Sequence, residues 1–246
     1  MYIFIKKIIK ALIPKDFLFK YEQIFRFPYA LFFLGNNHTC HICQKKLRTF
    51  ILLKNDDLLC PFCGSLSRNR RLWYLLNQNN VLKGNLLHFS PSRSLYRILK
   101  KHKAITYYSS DFENEFLADY KFDITNIKQD NEKFDTIICY HILEHIIEDQ
   151  KAISELYRVL KPHGTVYIQT PFKDGEIYED YSILTPQERK KHFGQEDHVR
   201  IYSIEGLKNR LMNNGFNVSV KTLNKTDDDL FLGLKSPETI LIATKQ

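Results

Sequence analysis

The chain has 246 residues, 43% of them hydrophobic and 26% charged, with no repeat or low-complexity tract, which excludes solenoid and low-complexity architectures and leaves room for one core of ordinary size plus a small module. Its net charge of +8 is uneven: up to residue 71, 13 Lys and Arg face four acids, a balance of +9 that leaves −1 for the remainder. The basic character therefore belongs to the first third, and a polyanion or an anionic membrane surface is the partner class it suits.

Residues 1–35 read as a basic arm. Ile5, Ile8, Ile9, Leu12 and Ile13 share one helical face and Lys6, Lys7 and Lys10 the other, up to Pro14. The apolar run 27–34 is eight residues long, well short of the roughly 20 a membrane span needs, and nothing resembles a small-residue cleavage site. The expectation is a cytoplasmic protein whose arm docks on its own surface or lies peripherally on a membrane.

Residues 36–76 hold two CxxC knuckles, Cys40-His41-Ile42-Cys43 and Cys60-Pro61-Phe62-Cys63, sixteen residues apart. Four thiolates satisfy tetrahedral zinc and leave no open position, so Cys40, Cys43, Cys60 and Cys63 predict a structural zinc ribbon. Disulfides and rubredoxin-like iron are the alternatives. His41 is expected to be exposed and not a ligand, and Cys139 to be a core residue.

After an Asn-rich linker at 77–84, residues 77–246 alternate strands and helices. Leu86 to Phe89 reads as a strand ending at Ser90-Pro91-Ser92, where Ser92 caps a helix over 93–102. A second strand at 105–108 ends at Ser109, Ser110 and Asp111. Thr136 to Cys139 is a buried parallel strand. Asp149 caps the next helix, whose Ile153, Leu156, Tyr157 and Leu160 face the sheet, and Lys161-Pro162-His163-Gly164 stops it. Ser203 caps a helix with Ile204, Leu207 and Leu211 inward and a stop at Gly215. Strands at 216–220 and 239–244 close the domain. The polar insertion 172–202 falls past the carboxyl end of a strand, where doubly wound sheets hold ligands. His198 is the candidate general base there, with His141 and His145 as alternatives; Arg200 and Tyr202 are the candidates to hold the acceptor.

The stretches FDTIICYHILEHI and ELYRVLKPHG resemble the cofactor domain of class I S-adenosylmethionine-dependent methyltransferases of the type 11 kind. With CPFCGSLSRNRRLWYLL, LLHFSPS and FGQEDHVRIY they resemble a zinc-ribbon-bearing branch of that family. The resemblance implies a Rossmann-like, doubly wound, seven-stranded α/β sheet. It implies S-adenosylmethionine contacts from His88, Ser90, Ser92, Asp111, Asp123, Ile124 and Tyr140, with Asp111 on the ribose hydroxyls and Asp123 by the adenine amino group. The family's glycine-rich turn is replaced by Ser90-Pro91-Ser92. A sugar hydroxyl or other small polar acceptor in cell-surface glycan synthesis is the implied substrate. An RNA methyltransferase and a catalytically inactive scaffold are the alternatives.

Overall fold

The computed structural model describes residues 15–78 and 81–246; the arm's predicted helix, before Pro14, lies outside them. In chain order the elements are α1 (Lys15–Ala30), β1 (Leu34–Cys40), β2 (Lys45–Leu47), β3 (Ile51–Leu52), β4 (Leu58–Leu59), α2 (Ser67–Gln78), β5 (Gly84–Phe89), α3 (Arg93–Leu99), β6 (Ile105–Ser110), β7 (Phe134–Tyr140), α4 (Asp149–Val159), β8 (Leu160–Gln169), β9 (Tyr178–Glu179), α5 (Pro186–Phe193), β10 (Arg200–Ile201), α6 (Ile204–Asn213), β11 (Phe216–Leu223), α7 (Asp227–Leu232) and β12 (Glu238–Lys245). None of the described helices is long and apolar enough to cross a membrane.

These elements form two compact units. The first comprises the described part of Met1–Asn79 together with Ser92–Ile98 and Lys225–Ser236, two stretches that the linear reading assigned to 77–246. Its hairpins β1-β2 and β3-β4 are antiparallel, and each knuckle turns back on itself: Gln44 N donates to Cys40 O at 2.7 Å and Gly64 N to Cys60 O at 3.0 Å. Charged groups brace this unit from inside. Arg70, fully buried, donates to the carbonyls of Ser65, Leu58 and Gly233 at 2.6, 2.9 and 2.6 Å. Glu22 gathers Arg26, Arg93 and Arg97 at 2.8, 3.1 and 2.9 Å.

The second unit is built on a six-stranded sheet in the order β11-β12-β8-β7-β5-β6. β6, β5, β7 and β8 run parallel, while β12 is antiparallel to both β8 and β11. Leu87, Ile137, Val166 and Ala243 lie in register across it and belong to one core with Ala152, Ile153, Leu156 and Val159 of α4 and Leu207 and Leu211 of α6. At 25 cal/mol per Å² such burial is the main driving force for closing helices onto a sheet.

Three details depart from expectation. Among the described residues the sheet has six strands and not seven: the chain from 119 to 122 meets the end of β6 through backbone bonds and the Ser110↔Tyr120 bridge but adds no ladder. Side chains replace the ladder there: Phe122 N donates to Ser110 Oγ, and Asp123 Oδ1 turns the chain by accepting from Thr125 N, both at 2.8 Å. Asp149 is the first residue of α4 and not its cap; Glu148 stands at the cap without a side-chain bond, and the Asp149 carboxylate is engaged elsewhere. Lys161 to Gly164 does not stop the helix: α4 ends at Val159, Leu160 is already extended as the first residue of β8, and 161–164 form an irregularity inside that strand, with His163 at φ +63°.

Candidate functional site

The four cysteines of the first unit converge. Cys40 Sγ and Cys63 Sγ are 3.7 Å apart, as are Cys43 Sγ and Cys60 Sγ, and all four are free of disulfides. Sulfurs bound tetrahedrally at about 2.3 Å from zinc sit about 3.8 Å from each other, so the spacing fits the ion, and a disulfide at about 2 Å does not. Ser65 Oγ stands 3.2 Å from Cys63 Sγ as a supporting polar group. His41 is half-buried against Tyr74, not exposed, and burial lowers its pKa to about 4.

In the second unit the ends of β5 and β6 meet. Ser90 adopts φ +45°, the left-handed region that glycine favours, so the turn keeps a tight course without glycine. Its hydroxyl donates to Asp111 Oδ1 at 2.8 Å, while Asp111 Oδ2 accepts from the amides of Glu115 and Phe116, which fixes an almost buried carboxylate at the strand end. His88 lies inside β5, where burial lowers its pKa to about 3 and Nδ1 pairs with Tyr107 OH at 3.2 Å. Asp123 is held by Thr125, whose hydrogen bonds lower its pKa, and the Ile124 side chain belongs to the core. Tyr140 ends β7. Ser92 falls in the first unit, where its hydroxyl accepts from Leu95 N at 3.4 Å at the start of α3.

Past β7 three predicted residues come together. His141 has φ +55° and its Nδ1 donates to Glu144 Oε1 at 3.1 Å. His145 packs edge-on to His198, ring centroids 4.7 Å apart. His145 Nδ1 stands 3.1 Å from Asp197 Oδ2, and His198 Nδ1 donates to Phe193 O at 3.2 Å. Burial lowers the His198 pKa, and the neighbouring His145 adds to this.

Arg200 and Tyr202 do not join the acceptor side as expected. Both are fully buried. Arg200 donates to Glu179 at 2.8 Å and to the carbonyls of Ile146 and Ile147, and Tyr202 OH donates to Asp149 Oδ2 at 2.6 Å. Arg210 bridges Asp149 and Glu179, closing a knot that ties β9, β10, α4 and α6. Burial alone would push the Glu179 carboxyl up, but Arg210 and Arg200 hold it below the ordinary carboxylate range. The pair is a brace behind the loop, because a guanidinium and a phenol so enclosed have no route to a substrate. Glu144, buried and bonded to His141, joins the cluster without having been a candidate; the Glu-His dipeptide just after a central strand is the sequence signal for it.

Residues 101–220 match the model of a family described as a methyltransferase domain. No curated protein matches the chain. Among solved structures it is similar to an S-adenosylmethionine-dependent methyltransferase from Archaeoglobus fulgidus (17% identity, 74% of this chain and 95% of that one, TM-score 0.51) and to another from Mesorhizobium loti (14%, 71% and 97%, TM-score 0.51). It is also similar to phosphoethanolamine N-methyltransferase 2 of Haemonchus contortus, solved with S-adenosylmethionine (16%, 72% and 52%, TM-score 0.50), of which it spans about half the length. At these identities the likeness is one of fold. The family match covers the segment that carries β7, the histidine cluster and α6. Residues 101–220 therefore match a methyltransferase domain, the second unit has the fold of class I S-adenosylmethionine-dependent methyltransferases, and the chain also carries a four-cysteine cluster compatible with structural zinc.

Proposed function

We propose that the chain methylates an oxygen of a small polar acceptor, a sugar hydroxyl of cell-surface glycan synthesis in the first place. S-adenosylmethionine, when bound, supplies an activated methyl group for a one-step displacement. What remains for the protein is alignment and removal of a proton. Ser90 and Asp111 supply a tight turn and a fixed carboxylate for the methionine and ribose parts, with Asp123, Ile124, Tyr140 and the buried His88 beside them. The observation that carries the acceptor reading is the contact of His145 with His198 at 4.7 Å beyond β7. Paired imidazoles with their Nδ1 atoms engaged keep their Nε2 lone pairs for the acceptor side, where the hydroxyl proton has to be removed.

The RNA alternative loses two of its cations, since Arg70 and Arg71 are buried in the first unit. Peripheral contact with an anionic membrane belongs to the same proposal. Ile24, Phe25 and Phe32, in the second half of the basic arm, are 65, 56 and 76% exposed.

The test is transfer of labelled methyl from S-adenosylmethionine to fractionated cell extract. Label in the polysaccharide or sugar-nucleotide fraction is expected. Label in RNA overturns the acceptor class, and no label anywhere despite bound cofactor makes the domain an inactive scaffold.

A further inference from the structure

We propose that Glu144, His145 and His198 form a binding site for a divalent transition-metal ion, through which the acceptor hydroxyl is deprotonated. One ligand atom from each residue lies within 4.8 Å of those of the other two. Glu144 is 1% exposed, and its two oxygens differ: Oε1 accepts from His141, while Oε2 is buried and has no hydrogen-bond partner among the described residues. A buried carboxylate oxygen without a donor is unfavourable, and a cation removes that penalty.

The two imidazoles are arranged as ligating histidines are. His198 Nδ1–H is committed to the Phe193 carbonyl and His145 Nδ1 faces the Asp197 carboxylate, so each ring keeps Nε2 as the bare nitrogen. His141 then stands to Glu144 as a positioning residue, holding the ligating carboxylate from behind. A hydrogen-bonded His-Glu-His triad without a metal accounts for Oε1 but gives Oε2 nothing.

Two imidazoles and one carboxylate suit Zn²⁺, Mn²⁺ or Fe²⁺ and disfavour Mg²⁺ and Ca²⁺, which take oxygen ligands. Three protein ligands leave positions open, unlike the four-sulfur centre. Resting on the O-methylation reading, the inference is that the acceptor oxygen binds the ion and releases its proton to water. That oxygen forms the O–CH₃ bond as the sulfonium S–CH₃ bond breaks, both electrons of the broken bond staying on sulfur.

The test uses the full chain, dialysed against a mild chelator so that the four-sulfur centre keeps its zinc, and titrated with Mn²⁺ while the free-ion electron paramagnetic resonance signal is followed. Mn²⁺ is the weakest binder of the first-row series and leaves thiolate-bound zinc in place. About one Mn²⁺ per chain is expected, with affinity falling at least tenfold in Glu144→Gln and in His198→Ala and less in His141→Ala. His145→Ala, at the more exposed ring, is a second ligand variant that leaves the buried carboxylate undisturbed, and it too should lose at least tenfold. No saturable Mn²⁺ binding by the wild type, or unchanged binding in Glu144→Gln and His145→Ala, overturns the site. Calorimetry with S-adenosylmethionine on the same samples separates the two readings. Cofactor bound without Mn²⁺ rejects the metal site alone, whereas Mn²⁺ bound without cofactor keeps the site and rejects methyl transfer.

Discussion

Arg71 and Asp229, 158 positions apart in sequence, form a buried ion pair, with side chains 5 and 3% exposed. Arg71 Nε also donates to Lys235 O at 2.7 Å. Counted from sequence, Arg71 belonged to a basic surface; in the fold it fastens α7 to α2. Arg71→Met should leave Asp229 enclosed without its partner and lower stability by about 3–5 kcal/mol. Urea unfolding measures this, and an unshifted midpoint would contradict it.

Zinc that survives dialysis should fall by about one per chain in Cys60→Ser. The variant should melt lower yet still bind S-adenosylmethionine, because a closed four-sulfur site has no position for substrate. Equal metal content and equal melting in the two proteins would remove the assignment.

Asp111→Ala should weaken S-adenosylmethionine binding at least tenfold, about 1.4 kcal/mol. The variant removes the charge that takes the Ser90 hydroxyl and the amides of Glu115 and Phe116. Ser90→Ala, which keeps that carboxylate, should cost less. Calorimetry decides, and an unchanged affinity in Asp111→Ala would move the ribose contact elsewhere.

His88 makes the second unit acid-sensitive. Burial lowers its pKa to about 3, against about 6.5 in an unfolded chain. The unfolded state therefore takes up the proton first. Stability is level above about pH 6.5 and is lost as the pH falls toward about 3, by at most about 1.4 kcal/mol per pH unit. His88→Leu should flatten the melting temperature between pH 6.5 and 4.5; parallel curves for variant and wild type would assign the acid loss to other groups.

Local signals were legible and tertiary ones were not. Ser203 caps α6, Leu207 and Leu211 are buried, and Gly215 stops the segment at φ +93°, all as the residue types dictate. β7, β8, β11 and β12 carry the β-branched residues that strands favour. α5 was available but unread: Thr185 and Glu188 form a capping box, Pro186 follows the cap, and Gly194 ends the helix in the left-handed region. The reversal of roles at Asp149 has a different cause, because its carboxylate is claimed by Tyr202 and Arg210, the latter 61 residues away, and no local rule reports that. The same holds for Arg200, which looks like a substrate clamp in sequence and becomes a brace only once Ile146, Ile147 and Glu179 surround it. The cysteine centre was the most legible feature, since spacing alone carries it.

The position of β12 has a consequence for how the protein is made. Residues 238–245 insert between β8 and β11, and Lys245 Nζ reaches back to the carbonyls of Leu160 and Tyr157 at 3.0 and 3.1 Å. During synthesis β8 and β11 thus leave the ribosome with facing edges and no strand to join them. Until residue 245 is free of the exit tunnel the nascent sheet presents unpaired amides and carbonyls, the surface on which chains aggregate. Its closure is a long-range event, and truncation within β12 should yield insoluble protein and not a weakened enzyme.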